Sequence, residues 1–285
     1  MPLDPDIAAV LAGESKGCVV CARAEDVLPQ IPDESVDLIC TDPPYVGLHG
    51  GHDRANFNSG VGISRQAQVS IGDKWEASLD WATEAKRIVK FGAIVFCTHH
   101  GLPETAIAFQ DWRRAVLWTW HKRNAPPTGA NVPHFTEENA WGFAKQPGLE
   151  WGAIAGTLID IPMLQAGCIA SPERLLDATG KAIHPTQKPI EVMERVLVVA
   201  RRGMVVCDPF CGLGATLIAA KNLGCRYIGI DISEKYCAIA RARLAATPEP
   251  LFAPLEPVAR QAGLYEGEGE SEKKLHDGNG EGIGS

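Results

Sequence analysis

The sequence predicts an α/β fold built on a mostly parallel, seven-stranded sheet with a small insert. Short apolar segments alternate with segments of helical periodicity along most of the 285 residues, as a series of βαβ units requires. A glycine turn, Gly212-Leu213-Gly214, joins one apolar segment directly to a helical one. The 45% hydrophobic content suffices for a sizeable core.

The individual elements follow from the same patterns. The expected strands are the short apolar runs Gly17–Val20, Val36–Thr41, Ala93–Thr98, Ala115–Trp120, Asn139–Ala144, Met204–Asp208 and Arg226–Asp231. The expected helices are the amphipathic segments Leu79–Lys90, Pro189–Ala200, Ala215–Leu223 and Glu234–Ala245. Gly224 can close the third helix in a left-handed conformation, and Ser233 is a suitable N-cap for the fourth.

Composition divides the chain into regions. Residues 1–16 are expected to form an N-terminal extension, 17–247 one domain, and 248–285 an acidic tail that is too polar to order. Within the domain, 17–146 and 184–247 form two halves, separated by a short insert at 147–183. Residues 46–74 are rich in Gly, Asn, Ser and His and are expected to form a mobile, functional loop.

Charge and cysteine content restrict the class of protein. The net charge of -8 disfavours nucleic-acid binding, but half of it lies in the tail from Glu266 onward, and a local basic groove can coexist with an acidic whole. Cys18 and Cys21 form one CxxC without a second pair, so no metal site is expected. Neither a membrane span nor a secretory signal is recognisable, and a cytoplasmic location is expected.

The glycine turn has the features of a nucleoside site. Strand, turn, helix and a second strand follow in order, and the second strand ends at Asp231, where a carboxylate can accept both ribose hydroxyls. The turn lacks the third glycine of dinucleotide sites and the Gly-Lys-Ser/Thr of phosphate loops, which favours S-adenosylmethionine over NAD or ATP. A ligand-free turn is the alternative. The candidate cofactor residues here are Asp208, Phe210, Gly212, Gly214, Thr216 and Asp231.

A second motif, Asp42-Pro43-Pro44-Tyr45, follows another apolar strand. Its prolines fix the backbone, so the carboxylate and the Pro43 carbonyl point in set directions, and Tyr45 offers a face for stacking on a base. Those two acceptors can take the hydrogens of an exocyclic amine and leave its lone pair free to attack a methyl group. The alternative is a proline-rich turn without a catalytic role.

Together these motifs resemble those of the amino-group DNA methyltransferases, the N6-adenine and N4-cytosine enzymes. Their order resembles the permuted β class, in which the catalytic half precedes the cofactor half. The segment from His184 to Pro189 (HPTQKP) is similar to a family segment that lies against the methionine part of S-adenosylmethionine. The resemblance spans about 17–247 and implies a Rossmann-like methyltransferase fold, with Thr186, Gln187 and Lys188 as further cofactor contacts.

The resemblance also implies a reaction and a partner. It implies site-specific transfer to N6 of adenine in double-stranded DNA, by in-line attack of a flipped-out base. N4-cytosine methylation, RNA methylation and a non-catalytic binding module are the alternatives. A homodimer and a companion restriction endonuclease are left open. The candidate DNA contacts, for which a solvated loop is an equal alternative, are His49, His52, Arg54, Arg65, Lys122 and Arg123.

Overall fold

The computed structural model describes residues 2–44, 81–97, 101–122, 137–164, 173–184 and 186–249. Eight strands in this part of the chain form one sheet in the order β1-β8-β7-β2-β3-β5-β4-β6. The strands are β1 Gly17–Cys21, β2 Val36–Thr41, β3 Val89–Cys97, β4 Arg113–His121, β5 Glu137–Ala144, β6 Leu158–Asp160, β7 Val205–Asp208 and β8 Arg226–Asp231. Strand β5 runs antiparallel to β3 and β4, and the other described pairs are parallel.

The sheet confirms the predicted mostly parallel α/β class but corrects the predicted number of strands from seven to eight. The additional strand, β6, lies in the insert and pairs in parallel with the end of β4. Its three residues are too few for a recognisable alternation of apolar and polar side chains. A hydrogen bond of 2.7 Å from the Trp120 indole nitrogen to the Ile161 carbonyl holds the segment against the sheet.

Seven α-helices accompany the sheet in the described residues. They are α1 Pro5–Ala12, α2 Ala24–Val27, α3 Trp81–Ile88, α4 Leu102–Ala108, α5 Ile190–Leu197, α6 Ala215–Asn222 and α7 Glu234–Ala246. The predicted helix at Leu79–Lys90 is wrong at its end, because Val89 already pairs with Val36 in the sheet. The β-branched side chain of Val89 suits that buried strand position. None of the described helices is long and apolar enough to cross a membrane.

Two apolar layers hold these helices on the sheet. On one face, Leu38 and Val206 pack with residues of α5, α6 and α7 such as Leu217. On the other face, Ile39 and its sheet neighbours pack with residues of α1 and α3, including Ile7. Helix α1 lies within the predicted N-terminal extension, and Asp4 caps it by accepting from the amides of Asp6 and Ile7.

The strand order places the predicted site residues at one edge of the sheet. Strands β8, β7 and β2 are neighbours, and all three run in the same direction. Their carboxyl ends carry Asp231, Asp208 and Asp42, respectively. This edge is where open α/β sheets bind ligands. The predicted loop 46–74 lies outside the described residues, as does the predicted acidic tail 248–285 from residue 250 onward.

Candidate active site

The glycine turn after β7 adopts a conformation that needs its glycines. Gly212 and Gly214 have φ angles of +50° and +80°. A Cβ atom on Gly214 would lie 3.1 Å from the Ala240 Cβ of helix α7, so the turn approaches that helix closely. A Cβ on Gly212 would meet only the His184 ring, at 3.6 Å. Gly212 thus leaves open backbone that a side chain would cover, as a cofactor cradle requires.

Asp231 fixes this turn from the neighbouring strand. Its Oδ2 accepts a hydrogen bond of 2.9 Å from the Gly212 amide, and its Oδ1 accepts one of 2.8 Å from the Ser233 amide. Burial raises the pKa of Asp231, and the hydrogen bonds from the two amides offset only part of this increase. Each carboxylate oxygen can accept a second hydrogen bond, so the geometry is compatible with ribose hydroxyls at the same group.

Asp208 joins the turn to strand β2 from inside the protein. Its Oδ1 accepts from the Phe210 amide at 3.0 Å and from the Thr41 hydroxyl at 2.7 Å. Burial raises the pKa of Asp208 to about 6, while hydrogen bonds from Thr216, Thr41 and Phe210 act in the opposite direction. The Asp208 side chain therefore organises the cofactor turn from behind.

Asp42 lies just beyond β2 and contacts the cofactor half directly. The Lys188 ammonium forms an ion pair with the Asp42 carboxylate and a second one, of 2.6 Å, with Glu138. Pro43 is buried and Pro44 is half-buried. Tyr45 lies outside the described residues. The described part of the Asp-Pro-Pro-Tyr motif is thus held at the sheet edge beside β7.

The segment before α5 lies against the cofactor turn, but its residues have separate roles. The Gln187 amide group accepts from the Leu175 amide and donates to the Glu173 carbonyl, so it fixes the insert. Thr186 is exposed. Burial, together with the charges of Lys188 and Arg174, lowers the pKa of His184 to about 4. The cofactor contacts predicted for Thr186, Gln187 and Lys188 stay predictions.

The structure also brings in residues that the sequence patterns did not single out for the site. Glu173 of the insert accepts from the Ile190 amide and from Arg243, which in turn donates to the Leu213 carbonyl at 2.6 Å. The insert therefore touches the cofactor turn through two side chains. Thr41 ends a predicted strand and Glu138 directly precedes one, but the contacts of both side chains depend on strand order and register, which a sequence does not display.

Only one of the six predicted DNA contacts lies within the described residues. Lys122 pairs with Glu138 at 2.9 Å and lies over the Trp120 ring at 4.8 Å. Its contact with phosphate stays a prediction. The other five candidates, which lie outside the described part of the chain, are His49, His52, Arg54, Arg65 and Arg123.

Similarity to known proteins agrees with this geometry. The model of the DNA methylase family matches residues 168–242. A type II methyltransferase of Streptococcus pneumoniae, M2.DpnII, is 30% identical over 239 residues, which cover 78% of this chain and 87% of that protein. A type II methyltransferase of Haemophilus influenzae, M.HinfI, is 29% identical over 76% of this chain and 65% of its own length.

Solved structures share the fold. The M1.HpyAVI–SAM complex matches with a TM-score of 0.54 at 24% identity, covering 80% of this chain and 100% of that one. The cytosine-N4-specific PvuII DNA methyltransferase matches with a TM-score of 0.57 at 17% identity, covering 80% and 86%. The predictions of fold, enzyme class and S-adenosylmethionine as methyl donor are confirmed. The chain belongs to the N6-adenine/N4-cytosine family of DNA methyltransferases.

Proposed function

We propose that this enzyme methylates N6 of adenine in double-stranded DNA and that Asp42 is its catalytic carboxylate. One observation supports this assignment above the others. The strand that carries Asp42 lies beside the strand that carries the glycine turn, and the Thr41–Asp208 hydrogen bond joins the two strands where both end. An amine held by Asp42 would therefore lie next to a methyl donor held by the turn.

The residues at this edge have the acceptors that the reaction needs. S-adenosylmethionine supplies an electrophilic methyl group on a sulfonium sulfur. The Asp42 carboxylate accepts one amine hydrogen and the Pro43 carbonyl accepts the other, so the nitrogen lone pair is directed out of the ring plane. With S-adenosylmethionine bound, the methyl group would pass from its sulfonium sulfur to the amine nitrogen, and the negative charge of Asp42 would stabilise the positive charge on that nitrogen. The nitrogen then loses one proton, to Asp42 or to water.

The choice of adenine rests on the first residue of the motif. Asp before Pro-Pro-Tyr resembles the adenine enzymes more than the cytosine enzymes, which often have Ser there. The same two acceptors would also serve N4 of cytosine, which is the alternative. The structural likeness to a cytosine-N4 enzyme, at 17% identity, concerns the fold alone and does not favour that base.

The setting of the reaction follows from the site. A base paired inside a duplex cannot reach Asp42, so we infer that the target base is flipped out of the helix. The two relatives are named type II methyltransferases, which supports a role in restriction–modification with a companion endonuclease. We also infer action in the cytoplasm. The insert at 147–183 is short, and in a homodimer the inserts of the two copies would together form a larger surface for sequence recognition.

Expression in cells that lack DNA methylation tests the function directly. We expect N6-methyladenine at one sequence motif when genomic DNA is sequenced for modified bases, and no modification with the Asp42→Asn variant. N4-methylcytosine instead would select the alternative base. If the DNA stays unmodified although the protein purified from those cells binds S-adenosylmethionine, the assignment as an active DNA methyltransferase is contradicted.

A further inference from the structure

Four charged side chains of alternating sign form a connected row beside the catalytic carboxylate. Lys188 contacts both Asp42 and Glu138, and Glu138 uses its other oxygen to contact Lys122 at 2.9 Å. The row is therefore Asp42, Lys188, Glu138, Lys122, with two negative and two positive groups. The Lys188 ammonium also lies 5.3 Å from the centre of the Phe96 ring, within the range of a cation–π contact.

The row lies mostly inside the protein. The side chains of Lys188 and Glu138 are 6% and 7% exposed, and those of Lys122 and Asp42 are 17% and 20% exposed. Removing such charges from water costs several kcal/mol per ion, which close pairing has to offset. A buried arrangement of this kind is weak evidence for stability, so a functional reason for retaining it deserves a test.

The four residues come from separate parts of the chain. Asp42 follows β2, Glu138 lies in β5, Lys122 follows β4, and Lys188 precedes α5 in the cofactor half. The backbone just before Lys188 is fixed, because the neighbouring Gln187 side chain is bonded to the insert at Leu175 and Glu173. Lys188 thus reaches from a fixed position in one half of the domain to the catalytic group of the other.

We propose that Lys188 and Glu138 are positioning residues for Asp42: Glu138 holds the Lys188 ammonium in place, and the ammonium orients the Asp42 carboxylate and keeps it ionised. This inference rests on the proposed function of Asp42. It differs from the cofactor contact that the sequence resemblance implies for Lys188. In our assignment, Lys188 acts on the group that receives the amine, and Glu138 acts through Lys188.

The charges predict how the row responds to loss of Lys188. Burial alone would lower the pKa of Lys188, but Asp42 and Glu138 outweigh it and raise the pKa above its ordinary value, so the ammonium stays charged. Without it, two carboxylates face one another and the pKa of Asp42 rises. Other titratable groups that act on Asp42 or Lys188 are Asp208, His184, Cys40 and Cys97.

The pH dependence of kcat distinguishes the two roles of Lys188. Because Asp42 has to be ionised, a raised pKa moves the acidic limb of the kcat profile to higher pH. For Lys188→Met we expect a limb at least about one pH unit higher and a kcat at least about tenfold lower. The dissociation constant for S-adenosylmethionine, from calorimetry, should change less than about threefold, since the contact is with Asp42.

A double variant provides the sharper test. Adding Glu138→Gln to Lys188→Met removes one of the two facing carboxylates, so the acidic limb should return toward that of the wild type. A role in folding alone predicts no such return. Lys16→Met, an exposed change at the opposite edge of the sheet, is the matched control and should leave both kcat and the limb unchanged.

Other outcomes would overturn the proposal. A tenfold weaker affinity for S-adenosylmethionine with an unmoved limb would make Lys188 a cofactor contact. If Lys188→Met does not fold, Lys188→Arg and Glu138→Gln decide: Arg should keep the limb at its wild-type pH, and Glu138→Gln should lower kcat severalfold. An unchanged kcat in Glu138→Gln contradicts the role of Glu138. Since all assays follow the amine that the wild type methylates, an error in the base assignment would not affect them.

Discussion

The Thr41 hydroxyl donates a hydrogen bond of 2.7 Å to the Asp208 carboxylate, although the two residues are 167 positions apart in the chain. Thr41 directly precedes Asp42, the proposed catalytic residue, and Asp208 ends the strand that leads into the glycine turn. Both side chains are buried, so the bond is protected from water. The two motifs of the active site are therefore joined by one side-chain contact behind the ligand sites.

This contact predicts a pH-dependent stability effect for Thr41→Val. Burial raises the pKa of Asp208 to about 6, so between about pH 4 and pH 6 the folded state holds more protons than the unfolded one. The stability that protonation of Asp208 contributes is thus greatest below pH 4 and is lost as the pH rises through 6. Removing the Thr41 donor raises the pKa further, and the variant should lose about 2 kcal/mol at pH 7.5 but less at pH 4.5.

Urea unfolding at both pH values measures the difference. Thr41→Ser keeps the donor and serves as the matched control, and Asp208→Asn removes the titrating group, so it should abolish the pH dependence of the Thr41→Val effect. An equal loss of stability at pH 4.5 and 7.5 would show that the hydroxyl does not act on an ionised Asp208.

The close approach of the glycine turn to helix α7 gives a second prediction. Gly214 and Gly203 have the same φ of +80°, but a Cβ atom would lie 3.1 Å from Ala240 at Gly214 and would meet nothing within 4 Å at Gly203. Both Ala variants therefore carry the left-handed backbone cost of about 1–2 kcal/mol, and only Gly214→Ala also crowds the helix.

We expect Gly214→Ala to be less stable than Gly203→Ala by about 1 kcal/mol or more in thermal or urea unfolding. Its affinity for S-adenosylmethionine should fall as well, because the turn has to shift, whereas Gly203→Ala should bind as the wild type does. Equal stabilities for the two variants would mean that α7 yields to the added methyl group without cost.

The strands and acids at the active edge were predictable because they carry local signals. The bounds of β2 and β8 agree with prediction, since each is a short, mainly apolar run, and β2 ends just before Asp42 while β8 ends at Asp231. Strand β6 was missed because its three residues are held by pairing with β4 and by the Trp120 indole rather than by their own pattern. Neither the pairing with β4 nor the Trp120 hydrogen bond can be recognised from the residues of β6 themselves.

The charged row beside Asp42 was not predictable for a related reason. Glu138 faces Lys188 only because β5 lies antiparallel between β3 and β4, with Glu138 opposite Trp120. In the sequence, Glu138 is one of two adjacent acids, and its burial depends on that register. Lys188 was identified through its motif, but its contact with Asp42 depends on how the two halves of the domain meet.

Asp231 gives a third prediction, on cofactor affinity. Its carboxylate accepts hydrogen bonds from the Gly212 and Ser233 amides, and we propose that it also accepts the ribose hydroxyls. Asp231→Asn should weaken the binding of S-adenosylmethionine by about tenfold to a hundredfold, because an amide offers one acceptor oxygen instead of two. Calorimetry measures the affinity, and the exposed Glu191→Gln is the matched control. Unchanged affinity in Asp231→Asn would rule out the ribose contact.

Asp42→Asn separates catalysis from cofactor binding. The neutral amide keeps the size of the side chain but loses the negative charge that stabilises the methylated nitrogen, so kcat should fall by about a hundredfold to a thousandfold. The glycine turn and Asp231 lie at the ends of β7 and β8, whereas Asp42 follows β2, so affinity for S-adenosylmethionine should stay within about threefold of the wild type. Single-turnover transfer to DNA and calorimetry measure the two effects. Methyl transfer at the wild-type rate would show that Asp42 is not catalytic. Weaker binding of S-adenosylmethionine with an unchanged kcat would assign Asp42 to the cofactor site instead.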